Sequence, residues 1–271
     1  MIACIESSHQ SNGVTTDPLL QKVSASRLNT FHQCRLKFYF RYVLKLQKAK
    51  TPALHIGTTV HAVLQFWNKA RWRKDVITLE IVREHFAKHW VEGQEKEPVN
   101  WDGEEPEEME ATWKLVQTYL QQTPIPLDEK PEAVEVQVEA PLSDHGLPML
   151  VGVIDLVRSG GRIVDFKTVG QTPNTEKSLH LHETQLSCYA ILYREATGHP
   201  EGGFELHNLV KTKTPKIVIA TASAMDQKQE ARLFRSIESF FRGIECQDWV
   251  PSPSPMSCAC CEFYNECRAF K

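Results

Sequence analysis

The sequence predicts an α/β or α+β domain with a mixed central sheet flanked by helices. Apolar residues recur at helical spacing through the first part of the chain and then give way to short Val/Ile-rich runs. A helical stretch interrupts those runs once, so the order is helices, strands, helix, strands, helix, and not a regular parallel βαβ series. Two of the runs are joined only by Gly160 and Gly161, the pattern of a hairpin and hence of an antiparallel pair. At 271 residues the chain can bury a substantial core, and one elaborated domain is expected.

Residues 1–22 are polar and unpatterned and read as a loose tail. "SASRLNTFHQCRLKFYFRYVLKL" opens on Ser caps and predicts one or two short helices. "HIGTTVHAVLQFWNKARW" and "TLEIVREHFAKHWVEG" follow as helices. "EPEEMEATWKLVQTYLQQ" is another, with acids in its first turns and a stripe of Met109, Trp113, Val116 and Leu120. "AVEVQVEAPL", "MLVGVIDLVRS" and "RIVDFKTV" read as strands. "HLHETQLSCYAILYREATG" is a helix closed by Gly198, "FELHNLVK" and "KIVIATAS" form a strand pair, and "AMDQKQEARLFRSIESFFRGI" is a last long helix.

Hydrophobic residues make up 41% and charged residues 24%, the composition of an ordinary globular chain. No apolar run approaches the ~20 residues of a membrane helix, so a soluble, intracellular (cytoplasmic) protein with no membrane partner is expected. The net charge of -3 hides two patches: Lys22 to Lys50 carries eight Lys/Arg and no acid, whereas Glu92 to Glu110 carries nine acids and one lysine. Either run can be a solvated face, or the basic one can meet a polyanion.

Chemistry concentrates in "GVIDLVRSGGRIVDFKT". The hairpin puts Asp155 in one strand and Asp165 near the end of its neighbour, with Lys167 on the same face two residues on. Two such carboxylates can share a hard cation such as Mg or Mn, and the lysine can hold an attacking water or steady a phosphate oxygen. That is a phosphodiesterase-type site, although Asp-x-Lys alone also arises by chance. His61, in "GTTVH", reads equally as a core or surface residue. Gln185 and Tyr189, in "QLSCY", share one helix face and alone read as packing. Glu135 and Glu139, on the strand before Asp155, either approach the cation or face solvent.

In this order, "GTTVH", "GVIDLV", "VDFKT" and "QLSCY" resemble the GxxxH, GxxD, (D/E)xK and QxxxY motifs of the RecB-like branch of the PD-(D/E)xK nuclease superfamily. The resemblance implies a restriction-endonuclease-like core and metal ligation by His61, Asp155, Asp165 and the carbonyl of Phe166. It further implies a catalytic role for Lys167, with Gln185 and Tyr189 orienting DNA or supporting the site.

Four of the eight cysteines fall within "CACCEFYNEC". Cys258, Cys261 and Cys267 suit a metal, but a closed site wants four thiolates. Cys260 is a poor fourth because it adjoins Cys261. Cys34, brought in by the fold, is the candidate, and zinc is the metal such a set most often binds. The resemblance adds what spacing cannot. An iron-sulfur subset of RecB-like nucleases, including AddB, CRISPR adaptation nucleases and single-strand DNA exonucleases, carries one cysteine before the core and CxxC(x5)C after it. It implies a [4Fe-4S] cluster on Cys34, Cys258, Cys261 and Cys267, with zinc as the alternative. Cys4, Cys188 and Cys246 read as free thiols.

The expected organisation is a tail (1–22), a nuclease core (23–250) with a helical insert at about 55–125, and a cluster segment (251–271) completed by Cys34. The expected activity is Mg- or Mn-dependent DNA exonuclease on single-stranded ends. The rivals are a DNA-binding or helicase-partner protein without turnover and a zinc-stapled nuclease. Arg35, Lys37, Arg41 and Lys45, with Lys211 and Lys213, are candidate phosphate contacts, while most of the aromatics among the first four read as core. No GxxxxGK(S/T) motif is present, so unwinding would need a helicase or recombination partner.

Overall fold

The computed structural model describes residues 18–270. The expectations for the tail before Pro18, Cys4 included, lie outside the described residues. In chain order the structure forms β1 (Lys22–Val23), α1 (Ala25–Gln33), α2 (Arg35–Phe38), a π-helical turn (Tyr39–Val43), α3 (Pro52–Arg73), α4 (Leu79–Lys96) and α5 (Glu105–Gln122). Then come β2 (Ala133–Ala140), β3 (Met149–Arg158), β4 (Arg162–Val169), α6 (Thr175–Leu181), α7 (Glu183–Thr197), β5 (Phe204–Val210), β6 (Lys216–Ala222), α8 (Gln227–Glu245), α9 (Pro255–Ala259) and α10 (Tyr264–Ala269). This is the mixed α/β architecture that the sequence predicts, with β1, α6, α9 and α10 as additions.

The described residues divide into two compact units: 18–47 with 139–152 and 227–270, and Lys48–Val138 with Val153–Asp226.

In the second unit β4 pairs antiparallel with β3 and parallel with β5, and β6 returns antiparallel to β5. The β3–β4 turn is made by Gly160 and Gly161, both at positive φ, which L side chains rarely adopt. Every residue of β5 is buried, as a strand covered on both faces requires. Thr51 and Thr78 cap α3 and α4 by accepting backbone N–H bonds from Leu54 and Ile81. Val60, Leu64, Phe86, Trp90, Trp113, Val116 and Tyr119 of α3–α5 pack against Leu156, Val164, Phe166 and Leu209 of the sheet. Each such side chain contributes about 1.5–3 kcal/mol on burial. Val164 and Phe166 thus face these helices, while Asp165 and Lys167 project from the opposite side of β4.

In the first unit β1 lies parallel to the start of β3, with Val23 opposite Leu150. Phe31, Phe38 and Phe240 meet edge to face at 5.1–5.5 Å and join α1 and α2 to α8. α2 and the π-helical turn then direct Leu36 and Phe40 onto Phe263 of the C-terminal segment.

Candidate active site and cysteine pocket

Asp155 and Asp165 each stand one residue beyond the paired Leu156 and Val164, so the antiparallel register brings the two carboxylates to the same level of the sheet. Asp155 Oδ2 accepts the Phe166 N–H at 3.1 Å and lies 3.4 Å from His61 Nδ1, which α3 supplies. Asp165 is 1% exposed. Its Oδ1 accepts Gln185 Nε2 at 3.0 Å and sits 3.5 Å from the Tyr189 hydroxyl. Gln185 Oε1 in turn accepts Lys167 Nζ at 2.8 Å, and its Nε2 reaches Tyr189 at 2.7 Å. The sequence separation of four between Gln185 and Tyr189 puts both on the face of α7 that covers Asp165.

The other oxygen of Asp165 is the informative one. Oδ2 is buried and accepts no aligned hydrogen bond, although the Lys167 ammonium lies 2.8 Å away. The cation that meets this buried oxygen is the Lys167 ammonium, and a carboxylate so placed is of the type that can also ligate a hard metal ion. Burial lifts the Asp165 carboxyl above the ordinary carboxylate range, Lys167 works the other way, and Asp155 adds to the rise. Burial would lower His61, but the Asp155 hydrogen bond and the charges of Asp155 and Asp165 outweigh it and raise the imidazole, against Lys167. Tyr189 is pushed well up by burial and by Asp165 and Asp155, so it stays a neutral phenol. Among the described residues no three His, Cys, Asp or Glu side chains converge as a ready metal cage. A hard cation that keeps several waters does not require one.

The structure separates the two glutamates of β2. Glu139 pairs with Lys22 at 2.7 Å. Glu135 lines a groove with Gly57, Thr58, His61 and Gln65, and its carboxyl is raised by burial and by Asp155, against His61 and Lys69. Its φ of 50°, unusual for a non-glycine residue, gives the strand an irregularity that no periodicity in the sequence announces. His182, between α6 and α7, was not singled out in the sequence. Burial and the charge of Lys167 push it down to about 4, so a neutral imidazole stands beside the lysine.

The basic residues are largely engaged within the chain. Arg35 pairs with Asp248, Lys37 (3.2 Å) and Arg41 with Glu262, and Lys211 with Glu108. Lys45 and Lys213 are exposed. Phe38 and Phe40 are core, as expected.

Cys34, Cys258, Cys261 and Cys267 all line one pocket, together with Leu36, Phe40 and Phe263. Burial raises the Cys267 thiol, and the neighbouring Cys34, Cys261 and Cys258 raise it further. Cys260 is exposed and turns its sulfur to the Met256 carbonyl of its own helix. Four thiols lining one apolar pocket are the donor type of a zinc or iron-sulfur centre, although among the described residues they do not converge as a ready cage. Cys188 is a buried free thiol, as expected. Cys246 is not free: it is disulfide-bonded, a pairing that spacing alone did not reveal.

No helix among the described residues is long and apolar enough to cross a membrane. No curated protein matches the sequence. Among solved structures, a provisionally named exonuclease from Eubacterium rectale superposes with a TM-score of 0.62 at 13% identity, over 97% of this chain and 94% of that one. At that identity the likeness speaks for the fold alone. The protein SSO0001 aligns over 87% of this chain and 94% of its own at 15% identity, with a TM-score of 0.39 that carries no argument. The family model of the PD-(D/E)XK nuclease superfamily matches residues 22–268, nearly the whole chain and every residue of the network around Asp165. The chain belongs to the PD-(D/E)XK nuclease superfamily.

Proposed function

We propose that this chain is a divalent-cation-dependent deoxyribonuclease that degrades DNA from single-stranded ends, with a structural [4Fe-4S] cluster on Cys34, Cys258, Cys261 and Cys267. The observation that carries the hydrolytic reading is that Asp155 and Asp165 stand at one level of adjacent strands, with His61 3.4 Å from the first and Lys167 2.8 Å from the second. Asp155, Asp165 and His61, with the Phe166 carbonyl, would hold Mg or Mn. When bound, the cation activates water and offsets charge on the scissile phosphate. Gln185 holds Asp165 Oδ1 and Lys167 Nζ together, which fixes the carboxylate's orientation and keeps the ammonium at the reaction centre. Tyr189 adds a neutral phenol beside the same oxygen, Oδ1. The cluster reading rests on the shared pocket of four thiols and on Cys260 lying outside it. Hydrolysis moves no electrons, so the cluster acts as a staple. Unwinding, where needed, falls to a separate helicase.

The test pairs an end-labelled single-stranded DNA digestion in Mg or Mn with a visible spectrum of anaerobically purified protein. Wild type is expected to be brown and active. Lys167→Ala is expected to stay brown and lose about 10²–10⁴-fold in rate. Activity in a colourless, zinc-containing protein would replace the cluster with zinc. A folded, brown wild type without cleavage would sink the hydrolytic reading in favour of a binding protein.

A further inference from the structure

The basic residues expected to meet DNA mostly neutralise acids of their own chain, which leaves the path of the strand to be found elsewhere. Helix α3 and strand β2 bound two successive grooves. The first is lined by Gly57, His61 and Gln65 against Glu135. The second is lined by Lys69, Trp72 and Arg73 against Glu132, Ala133, Val134 and Val136. Gln65 and Lys69 are one helical turn apart and Val134 and Val136 flank Glu135, so the two grooves follow one another along α3 and β2 and together are called the α3–β2 channel. His61 and Trp72 are eleven residues apart, three turns of helix, which puts them on one face separated by ~16 Å.

Trp72 is 45% exposed at the far end of this channel. Lys130 lies over its ring at 5.2 Å, and Lys69 and Arg73 stand beside it with no ion pair among the described residues. The channel also holds two acids. Glu135 belongs to the His61 end. Glu132 is committed to the β3–β4 turn, accepting the N–H groups of Gly160 and Gly161 at 2.7 and 3.2 Å and facing the Tyr193 hydroxyl at 3.4 Å. An exposed indole ringed by cations, at the end of a channel that leads to His61, matches single-stranded nucleic acid: phosphates for the cations, a base for the ring.

We infer that the α3–β2 channel is the strand-binding groove, with Trp72 as a base-stacking platform and Lys69, Arg73 and Lys130 as its phosphate contacts. This rests on the nuclease reading above and adds to it the route by which the strand reaches His61. The occupant is single-stranded, because a base must be unpaired to stack on the indole.

The test uses the full chain and a fluorescein-labelled oligothymidylate without divalent cation, read by anisotropy. Trp72→Ala is expected to weaken binding about tenfold, and Trp72→Phe to restore most of it. Lys69→Ala and Arg73→Ala are each expected to reduce the slope of log affinity against log salt by about 0.7, a result that stands even if Trp72→Ala folds poorly. In the digestion assay Trp72→Ala should raise KM more than it lowers kcat. Unchanged binding and salt slopes in a wild type that still cleaves would overturn the groove and leave the nuclease standing. Equal weakening on single strands and blunt duplex would overturn base stacking. A wild type that neither binds nor cleaves would remove the nuclease reading, and the groove with it.

Discussion

Gln185 touches Asp165, Lys167 and Tyr189 at once, yet it bears no charge. Its role is to hold others in place, and residues of that kind typically cost 10–100-fold when removed. Gln185→Ala is therefore expected to lower kcat by about that factor and to change the pH dependence of the rate, whereas a packing role would leave the profile in place. His55 makes the opposite case. It is fully buried between Trp90 and Trp101, and neither ring nitrogen finds a hydrogen bond. Burial, with the charges of Lys50 and His89, pushes it down to about 4. A depressed pKa means that the folded state binds fewer protons, so this contribution is intact above 6.5 and is lost as the pH falls toward 4. His55→Phe should raise the Tm more at pH 5 than at pH 8; an equal change at both would refute the assignment. The residues that the structure gathers around Asp165 were legible because their motifs are local and ordered along the chain. The ion pairing of Arg35, Lys37, Arg41 and Lys211 was not, because their partners Asp248, Glu262 and Glu108 lie far away in sequence.

At the scale of elements, α3 carries both the histidine and the proposed groove, and Gly57 shows how it is shaped. A Cβ at Gly57 would meet nothing within 4 Å, so no packing demands a glycine there. Gly57→Ala is expected to raise helix stability by up to about 1 kcal/mol. Because Gly57 lines the groove at His61, the same substitution should slow digestion, a gain and a loss readable from one melt and one assay. Gly243 in α8 behaves differently: its Cβ would sit 2.3 Å from Phe31 Cζ, inside the aromatic contact that joins α1 to α8. Gly243→Ala should cost about 1–3 kcal/mol in chemical denaturation. The long helices and central strands followed directly from periodicity. The break at His182 that divides α6 from α7, the π-helical turn and the short C-terminal helices did not, since each is set by tertiary contacts and not by a repeating pattern.

Across the whole molecule, stability at acid pH depends on a buried network. Arg158 binds Glu129 at 2.7 Å and Glu205 at 2.9 Å, Glu205 binds His207 at 2.8 Å, and His207 meets the Tyr119 hydroxyl at 2.9 Å. The Arg158 hydrogen bond holds Glu129 below its ordinary value against burial. Burial would raise Glu205, but His207 and Arg158 bring it down. Lowered carboxyls contribute stability above the usual carboxylate range and lose it as the pH falls through their folded values. Arg158→Gln should cost about 3–5 kcal/mol at pH 7, and the deficit should shrink in melts taken below about pH 4. The cysteine pocket gives the other whole-chain prediction. Cys34→Ser and Cys267→Ser should lower the Tm alike, the double variant no further, and Cys260→Ser hardly at all.

That pocket also imposes an order on biosynthesis. Cys34 and Cys267 are roughly 230 residues apart, and at the ~5–20 residues per second of translation the first thiol leaves the ribosome about 12–47 s before the last. Throughout that interval the α2 segment has no Phe263 to cover it. The unit built from both ends of the described chain is thus the last to mature, and its earliest thiol is the one longest open to oxidation in the nascent polypeptide.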